Sequence, residues 1–292
     1  MSKDKNLPAV DNMSKALSGL RIVIVGKGGS GKSSILALMH LVLKERGYEI
    51  HILDGDASNS GLYRLLGFQR QPAPLVDYFG GVTFAGEPGK VTCPVDDPTP
   101  LDKEKMALSK IPKEYFEKAD GVTMFAVGKI TNAYEGCHGP QSKVTRDFVL
   151  PGNHVTLIDI EAGLEHFGRG IEVNADAVLT VVDPNVTSVE TARYVVKMVR
   201  EMQNNPLKLV GVTDKLRLKK VWTILNKVDS TKTEILMQQK LLESGIQAIG
   251  TVRYDHAVAR LSLLGEPLKS IPAMGDVAKI VDYLEKVGFR DD

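Results

Sequence analysis

Cysteine is nearly absent from this chain. Its only two, Cys93 and Cys137, exclude a disulfide-built secreted scaffold and any zinc-finger spacing within one chain. Neither sign of charge is in excess, because 37 lysines and arginines face 36 acids. That balance argues against a strongly basic nucleic-acid binder and against an acidic solvating tail. Long apolar runs are missing too. The longest nearly apolar stretch, Ile35 to Leu43, is broken by His40 and falls far short of the roughly 20 residues a membrane span needs. The first twenty residues mix charge, Asn, Pro and Ser with no apolar segment, so they do not read as a signal peptide. Together these absences set the expectation of a soluble, cytoplasmic protein with no nucleic-acid and no membrane partner.

What is present is the composition of an ordinary globular protein. The 292 residues are 43% hydrophobic and 25% charged, enough to bury a core without staples and to form one or two domains. Residues 1–20 read as a polar leader with a short helix near Asp11–Leu17, and residues 21–292 as a single domain. Strands are expected at Arg21–Val25, Glu49–Leu53, Val122–Val127, Val155–Ile160, Ala177–Val182, Val221–Leu225 and Gln247–Val252. Helices are expected at Ser33–Arg46, Ser142–Val149, from Thr187 to about Met202, at Glu234–Glu243 and at Asp276–Val287. Thr187-x-x-Glu190 reads as a capping box. Residues 69–100 contain six prolines and read as a long loop or lid. The basic stretch 203–220 reads as a solvated insertion or a docking patch. Alternating strands and helices predict an α/β fold of three layers, with a mostly parallel central sheet flanked by helices.

One segment carries explicit chemistry. Gly26-Lys27-Gly28-Gly29-Ser30-Gly31-Lys32-Ser33 fits the pattern G-x-x-x-x-G-K-[ST], placed between a strand and a helix. Glycines let backbone N–H groups turn inward toward phosphate oxygens, and the helix N-terminus favours the negative charge. Lys32 reaches the β and γ phosphates, and the Ser33 hydroxyl serves Mg²⁺. Gly28, Gly29, Ser30, Gly31, Lys32, Ser33 and Ser34 form the expected phosphate cradle of a P-loop nucleotide-binding protein.

The second lysine, Lys27, gives the signature K-G-G-x-G-K-[ST]. In this the chain resembles the deviant Walker A ATPases, which include the nitrogenase iron protein, the ParA and MinD ATPases and the CooC-type ATPases of carbon monoxide dehydrogenase maturation. The resemblance implies a homodimer that closes on ATP and Mg²⁺, with Lys27 reaching the partner's nucleotide. It implies that Asp56 orients or deprotonates the attacking water, that Asp159 holds the Mg²⁺ shell and that the Gly163 N–H senses the γ-phosphate. It places Asn226, Arg253 and Asp255 around the base, although Asn226-Lys227-Val228-Asp229 also fits the guanine-selecting pattern of many P-loop proteins.

The run Asp159 to Gly170 and the segment Val182-Asp183-Pro184 resemble the maturation branch most closely. That branch carries a C-x-C pair near the dimer face, and this chain departs from it with Gly136-Cys137-His138-Gly139. The loop is also similar to a cluster-cysteine loop of the nitrogenase iron protein, whose second cluster cysteine corresponds here to His166. Two Cys137 with two His138 or His166 would give a thiolate–imidazole site suited to Zn²⁺ or Ni²⁺ rather than to a four-iron cluster. The plainer alternative makes Cys137 a structural thiol and His138 a loop histidine. The resemblance thus implies an ATPase that assists nickel insertion in a client metalloenzyme. Competing readings are ATP-gated iron–sulfur electron transfer and a positioning ATPase of the MinD/ParA kind.

Overall fold

The computed structural model describes residues 15–58, 61–83, 89–97, 99–129, 138–205, 216–269 and 271–287. The chain runs β1 (Arg21–Gly26), α1 (Lys32–Glu45), β2 (Ile50–Asp54), α2 (Leu62–Leu65), α3 (Leu75–Tyr78), β3 (Glu117–Ala119), β4 (Val122–Ala126), α4 (Gly139–Asp147) and β5 (Val155–Asp159). It continues through α5 (Glu165–Gly168), β6 (Ala177–Val182), α6 (Val186–Asn204), β7 (Lys220–Val228), α7 (Thr231–Leu242), β8 (Ala248–Arg253), α8 (His256–Leu264) and α9 (Ala273–Val287). Among the described residues the strands form one eight-stranded sheet in the order β3-β4-β2-β5-β1-β6-β7-β8. Every pairing is parallel except β3 with β4.

The apolar runs of the strands follow from this topology. A parallel sheet is covered on both faces, so alternate side chains need separate cores. Ile22 and Ile24 of β1 pack with Ile35, Leu38 and Met39 of α1 and with Val277 and Ile280 of α9. Val23 and Val25 face the other way, with Phe125, Phe148, Val195 and Val199. The carboxyl ends of β1, β2 and β5 meet on one edge, where a crevice for ligands forms in open α/β sheets.

Several expectations differ in detail. Asn185 caps α6 by accepting from the Thr187 N–H at 3.0 Å, so the helix begins before the Thr187–Glu190 box. The described part of 69–100 is not a lid over the crevice. Leu75, Val76, Phe79 and Val91 are buried in the second core, and Phe79 packs edge-on against Phe148. α4 starts at Gly139 and is buried along its whole length despite its polar sequence. Lys143 pairs with Asp97 at 2.6 Å, and Asn174 donates to the Arg146 carbonyl at 2.9 Å. Those partners, from distant segments, make burial of a polar helix tolerable. Lys15–Ser18 form a turn; the rest of the leader and residues 206–215 lie outside the described residues. At the end of the basic stretch, Arg217 pairs with Asp176 at 2.8 Å.

Candidate functional site

β1 delivers the phosphate loop to the crevice, and the loop's glycines are required by geometry. A Cβ on Gly26 would lie 2.6 Å from the Val181 carbonyl oxygen. Gly31 has φ +97°, and a Cβ there would lie 2.4 Å from Asn226 Nδ2. Only glycine fits such positions. Gly31 also starts α1 without any side-chain cap, so the first N–H groups of the helix remain for an anion. Two groups from β7 brace the loop from behind. Asn226 Nδ2 donates to the Ser30 carbonyl at 2.8 Å, and Lys227 Nζ donates to the Gly29 carbonyl at 2.6 Å.

Lys32 is 7% exposed and makes no ion pair or hydrogen bond among the described residues. A buried ammonium without a partner is unfavourable, which fits a lysine whose counter-charge is an incoming phosphate. Lys27 is half-buried and likewise pairs with no carboxylate among the described residues.

Two carboxylates stand side by side at the strand ends, because Asp54 of β2 is in register with Asp159 of β5. Burial pushes the Asp159 carboxyl up to about 7, against the donation from Ser33, and neighbouring Asp54 adds to the rise. Burial also pushes Asp54 up to about 6, although Lys129 Nζ lies 2.8 Å from its Oδ1. The Ser33 hydroxyl donates to Asp159 Oδ2 at 2.6 Å, while Asp159 Oδ1 is buried with no hydrogen-bond partner among the described residues. A hydroxyl beside a carboxylate with one orphaned oxygen suits a hard divalent cation, so these residues fit Mg²⁺. Asp56 accepts at Oδ1 from the Ser58 N–H at 2.8 Å and from the Ser58 hydroxyl at 2.6 Å.

Gly28, Lys32, Ser33, Asp56 and Ala162 line a cleft of about 420 Å³. A second cavity of about 240 Å³ shares Gly31 and Ser34 with it and is bounded by Asn226, Arg253, Tyr254 and Asp255. The two adjoin at the start of α1. The carboxylate of Asp255 caps α8 at the Ala257 N–H and also accepts from the Ala273 N–H at 3.0 Å. Arg253 pairs with Glu234 at 2.8 Å. Asp229 does not line the cavity. It is exposed and engages Thr233 and Ser230, which hold its carboxyl below the usual range.

The segment after β5 is also tied down. Gly163 has φ +107°. Its carbonyl lies 2.8 Å from His166 Nε2, and His166 Nδ1 pairs with buried Glu172. With both ring nitrogens engaged, His166 is a structural residue and not a metal ligand. His138 Nδ1 lies 2.5 Å from Glu161 Oε2. Cys137 lies outside the described residues. Cys93 is a free, half-buried thiol against Gly139, where an added Cβ would come within 2.7 Å of the Cys93 Cβ. Among the described residues no group of three or more His, Cys, Asp or Glu is placed to hold a metal ion.

Sequence reasoning missed Lys129 and the bracing role of Lys227. Lys227 stood inside the quoted Asn-Lys-x-Asp run. Lys129 carried only a weak signal, its place just after a strand that ends beside β2.

Comparison with known proteins agrees with this geometry. Residues 22–268 match the model of the CobQ/CobB/MinD/ParA nucleotide binding domain. An uncharacterized ATP-binding protein of Methanocaldococcus jannaschii is 29% identical over 272 residues, spanning 91% of this chain and 100% of that protein. The carbon monoxide dehydrogenase accessory protein CooC of Rhodospirillum rubrum is 24% identical over 63% of this chain and 70% of its own length. The septum site-determining protein MinD of Pyrococcus horikoshii, solved with Mg-ADP, shares the fold with a TM-score of 0.63 at 14% identity, over 92% of this chain and 97% of that one. The phosphate cradle, the strand-end carboxylates and the match over most of the chain lead to one assignment: the protein belongs to the CobQ/CobB/MinD/ParA nucleotide-binding family and is a P-loop ATPase.

Proposed function

We propose that the protein is an ATP-driven homodimeric switch that assists assembly of a metal centre, with nickel or zinc as cargo, in a client metalloenzyme. Lys32 and the N–H groups from Gly28 to Ser34 hold the β and γ phosphates. Ser33 and Asp159 hold Mg²⁺, and Asp56 orients the attacking water. Lys27 reaches the nucleotide of a second copy. Gly163 reports the γ-phosphate through its N–H. Asn226, Arg253 and Asp255 bound the base, and the position of Asp229 outside that cavity favours adenine over guanine.

The observation that carries the maturation reading is the contact between Glu161 and His138. Glu161 follows the Mg²⁺ aspartate by two residues, and His138 directly follows Cys137. The Glu161–His138 contact supports a link between the nucleotide site and the His138 position, which Cys137 adjoins in sequence. The kinship with CooC supports the same reading.

The test is metal analysis of untagged protein with and without a non-hydrolysable ATP analogue. About one Ni²⁺ or Zn²⁺ per two chains is expected with the analogue. Cys137→Ser and His138→Ala lose the ion and keep ATP binding. Lys27→Gln keeps nucleotide binding and lowers the dimer fraction in light scattering. Wild-type metal affinity in Cys137→Ser refutes the maturation role, and liposome sedimentation then tests a positioning role of the MinD kind.

A further inference from the structure

Lys129 has no part in the chemistry described so far, yet its surroundings are specific. It follows β4 by three residues, and its side chain is 11% exposed. The ammonium donates to Asp54 Oδ1 at 2.8 Å and to the backbone carbonyl of Asp56. Asp54 is itself 2% exposed at its side chain. One cation therefore bridges the end of β2 and the second residue beyond it.

That bridge bears on Asp56. The Asp56 carboxylate is held at Oδ1 by the N–H and the hydroxyl of Ser58, and its peptide carbonyl is held by Lys129. The residue is thus gripped at both ends, and its carboxylate lines the phosphate cleft while Lys129 does not. A lysine suits the task because its ammonium has three donors on a long stem. An apolar replacement leaves the Asp54 carboxylate buried and unpaired and the Asp56 carbonyl untied.

We propose that Lys129 is a positioning residue for ATP hydrolysis: by tying the Asp56 peptide to the buried Asp54 carboxylate, it fixes the direction in which the Asp56 carboxylate meets the attacking water. The inference rests on the reading of Asp56 as the water-orienting group. Displacing a reacting group by about 1 Å costs on the order of a hundredfold in rate, so a partial release of Asp56 should cost about tenfold or more.

The experiment uses the full chain with Mg·ATP and reads kcat, KM and the Kd of a non-hydrolysable analogue. Lys129→Met is expected to lower kcat by about tenfold or more, with KM and Kd within about twofold of wild type. Lys129→Arg, which keeps a cation with several donors, recovers part of that loss. The double variant Asp54→Asn/Lys129→Met removes the unpaired buried charge. It is expected to regain the thermal midpoint lost in Lys129→Met while kcat stays low, because the Asp56 carbonyl is still untied. Wild-type kcat in Lys129→Met overturns the inference. A Kd weakened as much as kcat, or failure of both Met variants to fold, also overturns it and leaves Lys129 as a structural tie. Asp56→Asn separates the two levels: if it is inactive while Lys129→Met is normal, only the Lys129 inference falls. If Asp56→Asn hydrolyses ATP at the wild-type rate, the underlying reading falls instead.

Discussion

Acid should weaken this protein through a histidine inside the helix that the phosphate loop opens. His40 lies on α1, is 3% exposed, and its Nδ1 is hydrogen-bonded to the Ala37 carbonyl. Burial lowers its pKa to about 4, and the hydrogen bond only partly opposes that. In the unfolded chain the ring takes up a proton near pH 6.5. The unfolded state thus binds more protons, and stability rises with pH across this window. The contribution is complete above pH 6.5 and is lost as pH falls toward about 4. At pH 5 the linkage relation gives a loss of about 2 kcal/mol from this residue alone. His51, stacked on His154 and lowered by burial to about 3, adds a loss of the same sign. His40→Leu removes the titrating group while keeping an apolar body at the site. Urea unfolding at pH 8 and pH 5, without nucleotide, measures the difference. Wild type should lose about 2 kcal/mol more than His40→Leu over that interval. Equal losses in the two proteins, within about 0.5 kcal/mol, would refute the reasoning.

Two further outcomes concern the nucleotide site. Asp56→Asn should keep nucleotide affinity within about threefold and lower the hydrolysis rate by about a hundredfold, measured as phosphate release; a rate like wild type would sink the assignment of Asp56. Lys32→Met should abolish ATP binding and yet raise the stability of the nucleotide-free protein by about 1 kcal/mol, because it removes a buried ammonium that makes no hydrogen bond or ion pair among the described residues. Denaturant titration without ligand checks the sign, and a destabilised Lys32→Met would show that Lys32 is satisfied without nucleotide.

The legible parts of this fold are those written in short-range pattern. The β-branched run of β1, the glycines after it and the helix that follows could be read directly, since each constraint lies within one turn or strand. Asp54 and Asp159 were both visible as strand-ending acids, but their adjacency depends on β5 inserting between β1 and β2. α4 misled for the opposite reason. Its sequence, Gly-Pro-Gln-Ser-Lys-Val-Thr-Arg-Asp, has the polarity of a surface helix, and partners far along the chain, Asp97 and Asn174 among them, make its burial tolerable. β3 is three residues long and largely exposed, and α8 has no buried residue, so neither shows a contrast between faces that a periodicity could reveal. Lys129 finds Asp54 across 75 positions of chain, a distance no local pattern spans.

His166 gives the segment around Gly163 a detent. The Gly163 carbonyl, one peptide plane beyond the Gly163 N–H, is held by the ring nitrogen of His166, so the segment cannot shift without pulling on that ring. The ring is not free to follow, because its other nitrogen is anchored on Glu172, which is fully buried in the turn Ile171–Asn174. That turn is fastened in its own right, since Arg21 at the start of β1 donates to the Asn174 carbonyl at 3.0 Å. Motion at Gly163 is therefore a matter of engaging or releasing a catch on the rigid sheet, and packed interiors favour such discrete positions over a continuum.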